Sequence, residues 1–262
     1  MDEQVLHGGF ANVGAVVRVG DHVLRPAKPN TQTIHRALHA LRAAGFSGAP
    51  EPVGIDEDGR ERLVFIEGLV PTPPYPDWAQ SQVALVSIAV LMKTMHDAST
   101  GIDLSTGHWS DEMADGHGGS VLCHNDVCLE NVVFRDGRAV GLIDFEFAAP
   151  GRRVFDLASF ARMCVPIDDD VNAARLGWAP ADLPARLRLV ADTYDLTGPE
   201  RAELLEILDR TIQRGGEFLR RQVEAGHLGF AELWREVGGN ERFDRRRRWW
   251  AQERTEFQHS MS

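Results

Sequence analysis

The sequence predicts an α+β protein of two unequal lobes, a small β-sheet lobe carrying one helix followed by a larger, mainly helical lobe. Three observations carry this. Short segments rich in Val and Leu, separated by turns containing Gly and Asp, dominate residues 1–67. The stretch "EGLVPTPPYPDW", Glu67 to Trp78, holds too many prolines for a helix or a central strand and reads as a connector. Beyond it, apolar residues recur at helical spacing over long segments. The lobes are accordingly assigned to residues 1–67 and 68–262.

Taken in order, "GAVVRVG" (Gly14–Gly20) and "DHVLRP" (Asp21–Pro26) read as two strands joined at a Gly-Asp turn. Thr31 to Ala44 places Ile34, Leu38 and Leu41 at helical spacing and stops at Gly45. "DEDGR" then makes a turn into the strand "ERLVFIEG", Glu61 to Gly68. In the second lobe, amphipathic helices are expected over Ser81–Ala98, Leu183–Tyr194, Pro199–Ala225 and, with interruptions, Phe230–Phe257. "GIDLSTGHWSDEMADGHGG", Gly101 to Gly119, reads as a mobile surface loop.

Composition narrows the function. With 262 residues and 43% hydrophobic content the chain can bury a sizeable core. Its formal charge is −11, from 39 acidic and 28 basic residues, a field that repels phosphate backbones and speaks against nucleic acid as a partner. "DRRRRWW", Asp244 to Trp250, is the basic exception, and it reads as part of a last helix with Trp249, Trp250 and Phe257 partly buried. No apolar run reaches membrane-spanning length, and "MDEQVLHGGF" is acidic where a signal peptide is basic, so a cytoplasmic location without a membrane partner is expected. Cys123, Cys128 and Cys164 form no C-x-x-C pair and are expected to be reduced thiols.

The chemistry is concentrated in "VLCHNDVCLENVVF", Val121 to Phe134, and the continuation "VVFRDGRAVGLIDFEFA", which ends at Ala148. The latter holds two short apolar strands around an Asp-Gly turn, so folding it as a hairpin brings Asn131 at one end beside Asp144 at the other. An Asp and an Asn side by side make a hard-oxygen site suited to magnesium. Asp126, five residues before Asn131, then faces the reacting hydroxyl. This order and spacing is the phosphoryl-transfer layout of protein kinases, in which one Asp orients or deprotonates the acceptor while an Asn and a later Asp bind metal.

The blocks "HNDVCLEN" (His124–Asn131), "LIDFEFA" (Leu142–Ala148) and "FDLASF" (Phe155–Phe160) resemble the aminoglycoside phosphotransferase and choline kinase superfamily more than protein kinases, which carry Asp-Phe-Gly at the second Asp. The resemblance is densest over Val121 to Arg162. It implies a protein-kinase-like bilobal fold and an ATP- and magnesium-dependent kinase acting on the hydroxyl of a small molecule. Under it Asp126 is the catalytic base, Asn131 and Asp144 are metal ligands, His124 supports the loop, and Asp156 is the buried residue that braces it. Glu146 either helps to hold metal or substrate or is solvated.

Nucleotide and acceptor contacts are less uniform. "GGFANVG", Gly8 to Gly14, is either a turn over the phosphates or a plain hairpin turn, and it lacks the G-K-[ST] of a P-loop. Kinases of this shape place a Lys on the third strand and pair it with a Glu on the next helix. Here that strand offers Arg25, with Lys28 as the fallback, and the helix offers His35. Phe65, Glu67 and Gly68, at the junction of the lobes, are the residues expected to meet adenine. Asp168, Asp169 and Asp170 fall where the superfamily lines its acceptor cleft and suggest a cationic acceptor such as an aminoglycoside antibiotic, an antibiotic-resistance role; an exposed acidic loop is the other reading. A choline, amino-alcohol or peptide-antibiotic kinase, or a non-catalytic binding protein of the pseudokinase or trifolitoxin-immunity type, is the alternative. The sequence does not specify an oligomeric state.

Overall fold

In this computed structural model, residues 3–6 and 16–262 are described, so the turn expected at Gly8–Gly14 lies outside the described residues. Five antiparallel strands open the chain: β1 (Gln4–Val5), β2 (Val17–Val19), β3 (His22–Pro26), β4 (Pro52–Ile55) and β5 (Arg60–Val64), in the spatial order β1-β2-β3-β5-β4. The helix α1 (Thr31–Ala43) connects β3 to β4 and buries Ile34, Leu38 and Leu41, the predicted stripe. Antiparallel register sets Arg25 of β3 directly opposite Glu61 of β5. Residues directly opposite on one face stand about 4.5–5.5 Å apart at Cβ, close enough for long side chains to pair.

After the proline-rich connector comes α2 (Gln82–Ser99), where Ser81 Oγ accepts the Ala84 N–H at 3.1 Å and caps the first turn. Leu85, Ile88, Ala89, Met92 and Met95 form its buried stripe. Four short strands follow: β6 (Val121–Cys123), β7 (Val132–Arg135), β8 (Arg138–Leu142) and β9 (Ala149–Gly151), paired β6 with β9 and β7 with β8. Seven helices complete the chain: α3 (Arg153–Cys164), the short α4 (Asp170–Arg175), α5 (Leu183–Thr193), α6 (Gly198–Gln213), α7 (Glu217–Glu224), α8 (Leu228–Glu236) and α9 (Gly239–Met261).

The helix expected over Pro199–Ala225 is broken at Gly216, whose φ of 87° is left-handed, and a Cβ there would fall 2.6 Å from the Phe243 ring. The interruption expected within Phe230–Phe257 falls at Gly238 and Gly239, both with positive φ. In α9 itself, Trp250 and Phe257 are fully buried, and Trp250 Nε1 donates to Asp209 at 2.9 Å. The segment 101–119 contains no helix or strand, but it is not a free loop. Its Asp115 is buried and takes a bidentate contact from Arg152, with Nε and Nη2 at 2.6 and 2.9 Å. Among the described residues no helix is long and apolar enough to cross a membrane.

Candidate functional site

The hairpin β7–β8 turns at Asp136 and Gly137, both with positive φ, as an Asp-Gly turn requires. It closes as the spacing predicts: Ile143 N–H donates to the Asn131 carbonyl at 2.9 Å, which brings Asp144 beside Asn131. Asn131 Nδ2 donates to the Asp126 carbonyl at 2.9 Å and to Asp126 Oδ2 at 3.0 Å. That use of the amide nitrogen leaves Asn131 Oδ1 as the oxygen turned to other partners. Asp126, Asn131 and Asp144 are thus gathered in one site.

Asp144 adopts φ 65° and ψ 62°, a left-handed conformation that costs a non-glycine residue about 1–3 kcal/mol and persists only where surroundings enforce it. Enforcement comes from across the site, because Arg25 Nη1 lies 2.5 Å from Asp144 Oδ1. The same guanidinium places Nε 2.5 Å from Glu61 Oε1. Glu61, 3% exposed in its side chain, also meets His35 Nε2 of α1 at 2.9 Å. The expected ion pair is therefore rebuilt: arginine replaces lysine, and the carboxylate comes from the neighbouring strand rather than from the helix. Burial opposes charge on both partners, but Asp144 and Glu61 hold the Arg25 guanidinium above its usual range, and His35 and Arg25 hold Glu61 below its own.

The loop from His124 to Asn131 is held from beneath. Asp156 of α3 is fully buried and accepts the His124 N–H at 2.8 Å, the Asn125 N–H at 2.7 Å and His96 Nε2 at 3.0 Å. Burial alone would raise its carboxyl, yet the His96 contact and the loop amides hold it below the ordinary range. His96 Nδ1 in turn meets the Tyr194 hydroxyl. The buried trio His96, Cys123 and Asp156 lies close enough to suggest a metal site, but these hydrogen bonds engage His96 and Asp156, and Cys123 Sγ donates to the Arg152 carbonyl at 3.4 Å. His124 donates from Nε2 to the Ile143 carbonyl at 2.9 Å, which ties the loop to the end of β8. Burial pushes the Asp126 carboxyl up, the nearby Asp144 adds to that, and His124 opposes it.

Glu146 is not solvated. Its Oε2 is buried without a hydrogen-bond partner, with Lys28 Nζ 3.7 Å away, while its carbonyl accepts from Asn30 Nδ2 at 2.8 Å. A small cavity lined by Arg25, Lys28, Asn30, Glu61 and Glu146 lies here. Burial first, then Asp144, raises the Glu146 carboxyl. Like Asp144 and Asn131 Oδ1, this orphaned oxygen is a hard donor of the kind magnesium takes.

At the junction of the lobes, Phe65 N–H donates to the Asp21 carbonyl and the Glu67 carbonyl accepts Arg135 Nε. Gly68 packs so tightly on β7 that a Cβ would fall 2.5 Å from the Phe134 carbonyl oxygen, and its glycine is explained by that approach. One expectation needs correction: the acidic run gives no open carboxylate trio. Asp168 pairs with Arg242 at 2.6 Å, Asp169 pairs with Arg245 at 2.6 Å and caps α4, and Asp170 is exposed. Both arginines lie on α9, more than seventy positions along the chain. Among the residues that sequence reasoning missed, Glu61 had a readable signal: alignment of "HVLRP" against "RERLV" as an antiparallel pair sets it opposite Arg25. His96, Tyr194 and the α9 arginines had none.

The profile of the phosphotransferase enzyme family matches residues 105–190. A trifolitoxin immunity protein from Rhizobium leguminosarum bv. trifolii is 34% identical over 213 residues, 79% of this chain and 79% of the relative. Among solved structures, a choline/ethanolamine kinase family protein from Mesorhizobium loti superposes with a TM-score of 0.66 at 14% identity, covering 100% of this chain and 92% of that one. The gentamicin complex of APH(2")-IIa gives 0.59 at 15% identity, covering 87% and 88% of the two chains. Its streptomycin–ATP ternary complex gives 0.56 at 16%, covering 93% of each. The expected protein-kinase-like fold is the fold observed.

Proposed function

We propose, from the premise that this chain belongs to the phosphotransferase enzyme family, that it transfers the γ-phosphoryl group of ATP to a hydroxyl of a small molecule. The observation that carries this reading is the convergence of Asp126, Asn131 and Asp144 on one site with Arg25 locked between Glu61 and Asp144. Phosphoryl transfer asks little covalent chemistry of a protein; it asks for alignment and for charge where charge develops.

Each residue has a part that its surroundings support. Asp126 receives the acceptor's proton, and a carboxyl raised by burial is a better match to a neutral operating pH than an exposed one. Asn131 and Asp144, with Glu146 beside them, would hold magnesium, which supplies charge neutralisation on the phosphate oxygens when bound. Arg25 presents a rigid fork to the phosphates from a strand. Asp156 fixes the loop by gripping two successive amides.

ADP release from magnesium-ATP, measured with and without the aminoglycoside, choline and peptide acceptors suggested by the family, tests the reading. Turnover in the wild type that disappears in Asp144→Ala supports it, and thermal stabilisation by magnesium-ATP of equal size in both would overturn the metal assignment. A second reading, a non-catalytic binding protein, is favoured by one contact: Arg25 already occupies an oxygen of Asp144. Nucleotide binding without phosphoryl transfer to any acceptor would support that reading instead.

A further inference from the structure

Once Asp168 and Asp169 are matched to Arg242 and Arg245, positive charge is left over beside the catalytic loop. Helix α3 runs along that loop: Ser159 Oγ donates to the Asn125 carbonyl at 2.9 Å, and Cys164 Sγ lies 3.6 Å from the Val127 carbonyl. Arg162 lies between them on α3, one turn beyond Ser159, and its charge acts on both Asp126 and Asp168. Among the described residues it forms no ion pair. Arg246 of α9 is 3% exposed, its Nε is buried without a partner, and it too forms no ion pair among the described residues.

The arrangement is built around these side chains. A Cβ at Gly215 would fall 1.8 Å from Arg246 Nη2, so glycine there makes room for the guanidinium. Arg242 is fixed by Asp168 Oδ2 at 2.6 Å and Asn172 Oδ1 at 3.3 Å. Four guanidiniums, Arg162, Arg242, Arg245 and Arg246, thus face three carboxylates, Asp168 and Asp169 in ion pairs and Asp126 on the loop beside Arg162. The unmatched acceptor in the cluster is Asp169 Oδ2, whose charge Arg245 already balances. Burying a guanidinium without a counter-charge is among the most costly arrangements in a folded protein, and a ligand that supplies the counter-charge relieves it.

We propose that Arg162 and Arg246 receive an anionic group of the acceptor, a carboxylate or a phosphate monoester, and so hold its hydroxyl at Asp126. The acceptor class is then anionic, opposite to the cationic class that the acidic run suggested. Burial pushes the Arg246 guanidinium down to about 9, with Asp168 opposing, which leaves it charged at neutral pH. The inference rests on the phosphotransferase reading and leaves its step unchanged. The acceptor oxygen forms the new bond to phosphorus, the β,γ-bridging bond of ATP breaks, the hydroxyl proton passes to Asp126, and ADP leaves.

The test is a thermal-shift titration of the full chain, first with magnesium and the β,γ-imido analogue of ATP to fill the nucleotide site. Inorganic phosphate, D-glycerate and kanamycin are then added in separate arms. Saturable stabilisation by phosphate or by glycerate is expected, the stronger arm identifying the anion, with none from kanamycin. Arg246→Gln and Arg162→Gln should each weaken it by about tenfold to a hundredfold, the usual worth of a hydrogen bond to a charged group, and the lysine variants should recover part of it. An absence of saturable anion binding in the wild type, protection by kanamycin instead, or unchanged binding in both glutamine variants would overturn the proposal. Should Arg246→Gln fail to fold, the wild-type titration and Arg162→Gln still decide it. Failure of the ATP analogue itself to stabilise the protein counts against the phosphotransferase reading alone, since the anion titration can be read without it.

Discussion

Glu61→Gln is the most informative single change, because it removes charge without removing shape. Glu61 makes two contacts that depend on its charge, to Arg25 Nε at 2.5 Å and to His35 Nε2 at 2.9 Å, from a side chain only 3% exposed. A hydrogen bond to a charged group is worth about 1.5–3 kcal/mol, and glutamine keeps one accepting oxygen while turning an amide toward the other partner. One contact is lost and one weakened, a cost of about 2–4 kcal/mol, which for a chain of this size lowers Tm by about 5–15 °C. The functional cost has a different origin. Without Glu61, Arg25 retains only Asp144 and is drawn onto the carboxylate proposed to hold magnesium, so kcat/KM for ATP should fall about tenfold to a hundredfold, equivalent to about 1.4–2.8 kcal/mol. Lys28→Ala is the control: its side chain is 37% exposed and its ammonium lies 3.7 Å from Glu146, an ion pair worth about 0–1 kcal/mol. Melting curves and an ATP titration of both variants, with Arg25→Ala alongside, settle the matter. Wild-type stability and kinetics in Glu61→Gln, or a larger effect from Lys28→Ala than from Arg25→Ala, would refute the rebuilt pair.

Other expectations concern the loop. Asp126→Asn should retain the fold and nucleotide binding while turnover falls about 10²–10⁴-fold, and a variant of full activity would remove Asp126 as the base. Because burial raises the Asp126 carboxyl, activity that needs it ionised should be lost as pH falls through a value above the ordinary aspartate range, and a kcat/KM profile flat down to about pH 4 would contradict this. Asp156 is depressed in the folded state, so its stabilisation is present above the unfolded value near 4 and lost as pH falls through the folded one. Asp156→Asn should therefore melt lower at neutral pH and show a shallower acid limb in Tm; parallel limbs would exclude it as the source.

How much of this was legible follows from sequence distance. Asp126, Asn131 and Asp144 fall within nineteen residues and are joined by one hairpin whose Asp-Gly turn is written in the chain, so local rules suffice to bring them together. Arg25 could be placed on its strand by alternation. Its partner Glu61 becomes readable only once β3 is aligned against β5, two strands separated by α1 and β4. The acidic run shows the limit most sharply. Asp168 and Asp169 looked like open carboxylates because the arginines that neutralise them arrive from α9, and a charge seen in sequence carries no information about its counter-charge in space. The glycine break at Gly216 was visible as a residue but not as a left-handed position, since the helical periodicity of α6 and α7 runs on across it.

The placement of Glu61 changes what can regulate this site. In a protein kinase the carboxylate that orients the strand lysine rides on a helix, so moving that helix makes or breaks the pair. Here both members of the pair stand on adjacent strands of one sheet, directly opposite in register, and α1 contributes only His35. A displacement of α1 would break the His35 contact at 2.9 Å and leave Arg25 and Glu61 together. The sheet itself would have to shear to separate them, at the cost of the ladder between β3 and β5. Arg25 is consequently poised whether or not α1 moves, and the element left free to respond to ligand is Asp144, held in its left-handed conformation by that same arginine. Under the proposed function, control of this site would fall to whatever competes with Arg25 for Asp144, and a divalent cation carried in with the nucleotide would be a competitor that the oxygens of Asn131 and Glu146 could assist.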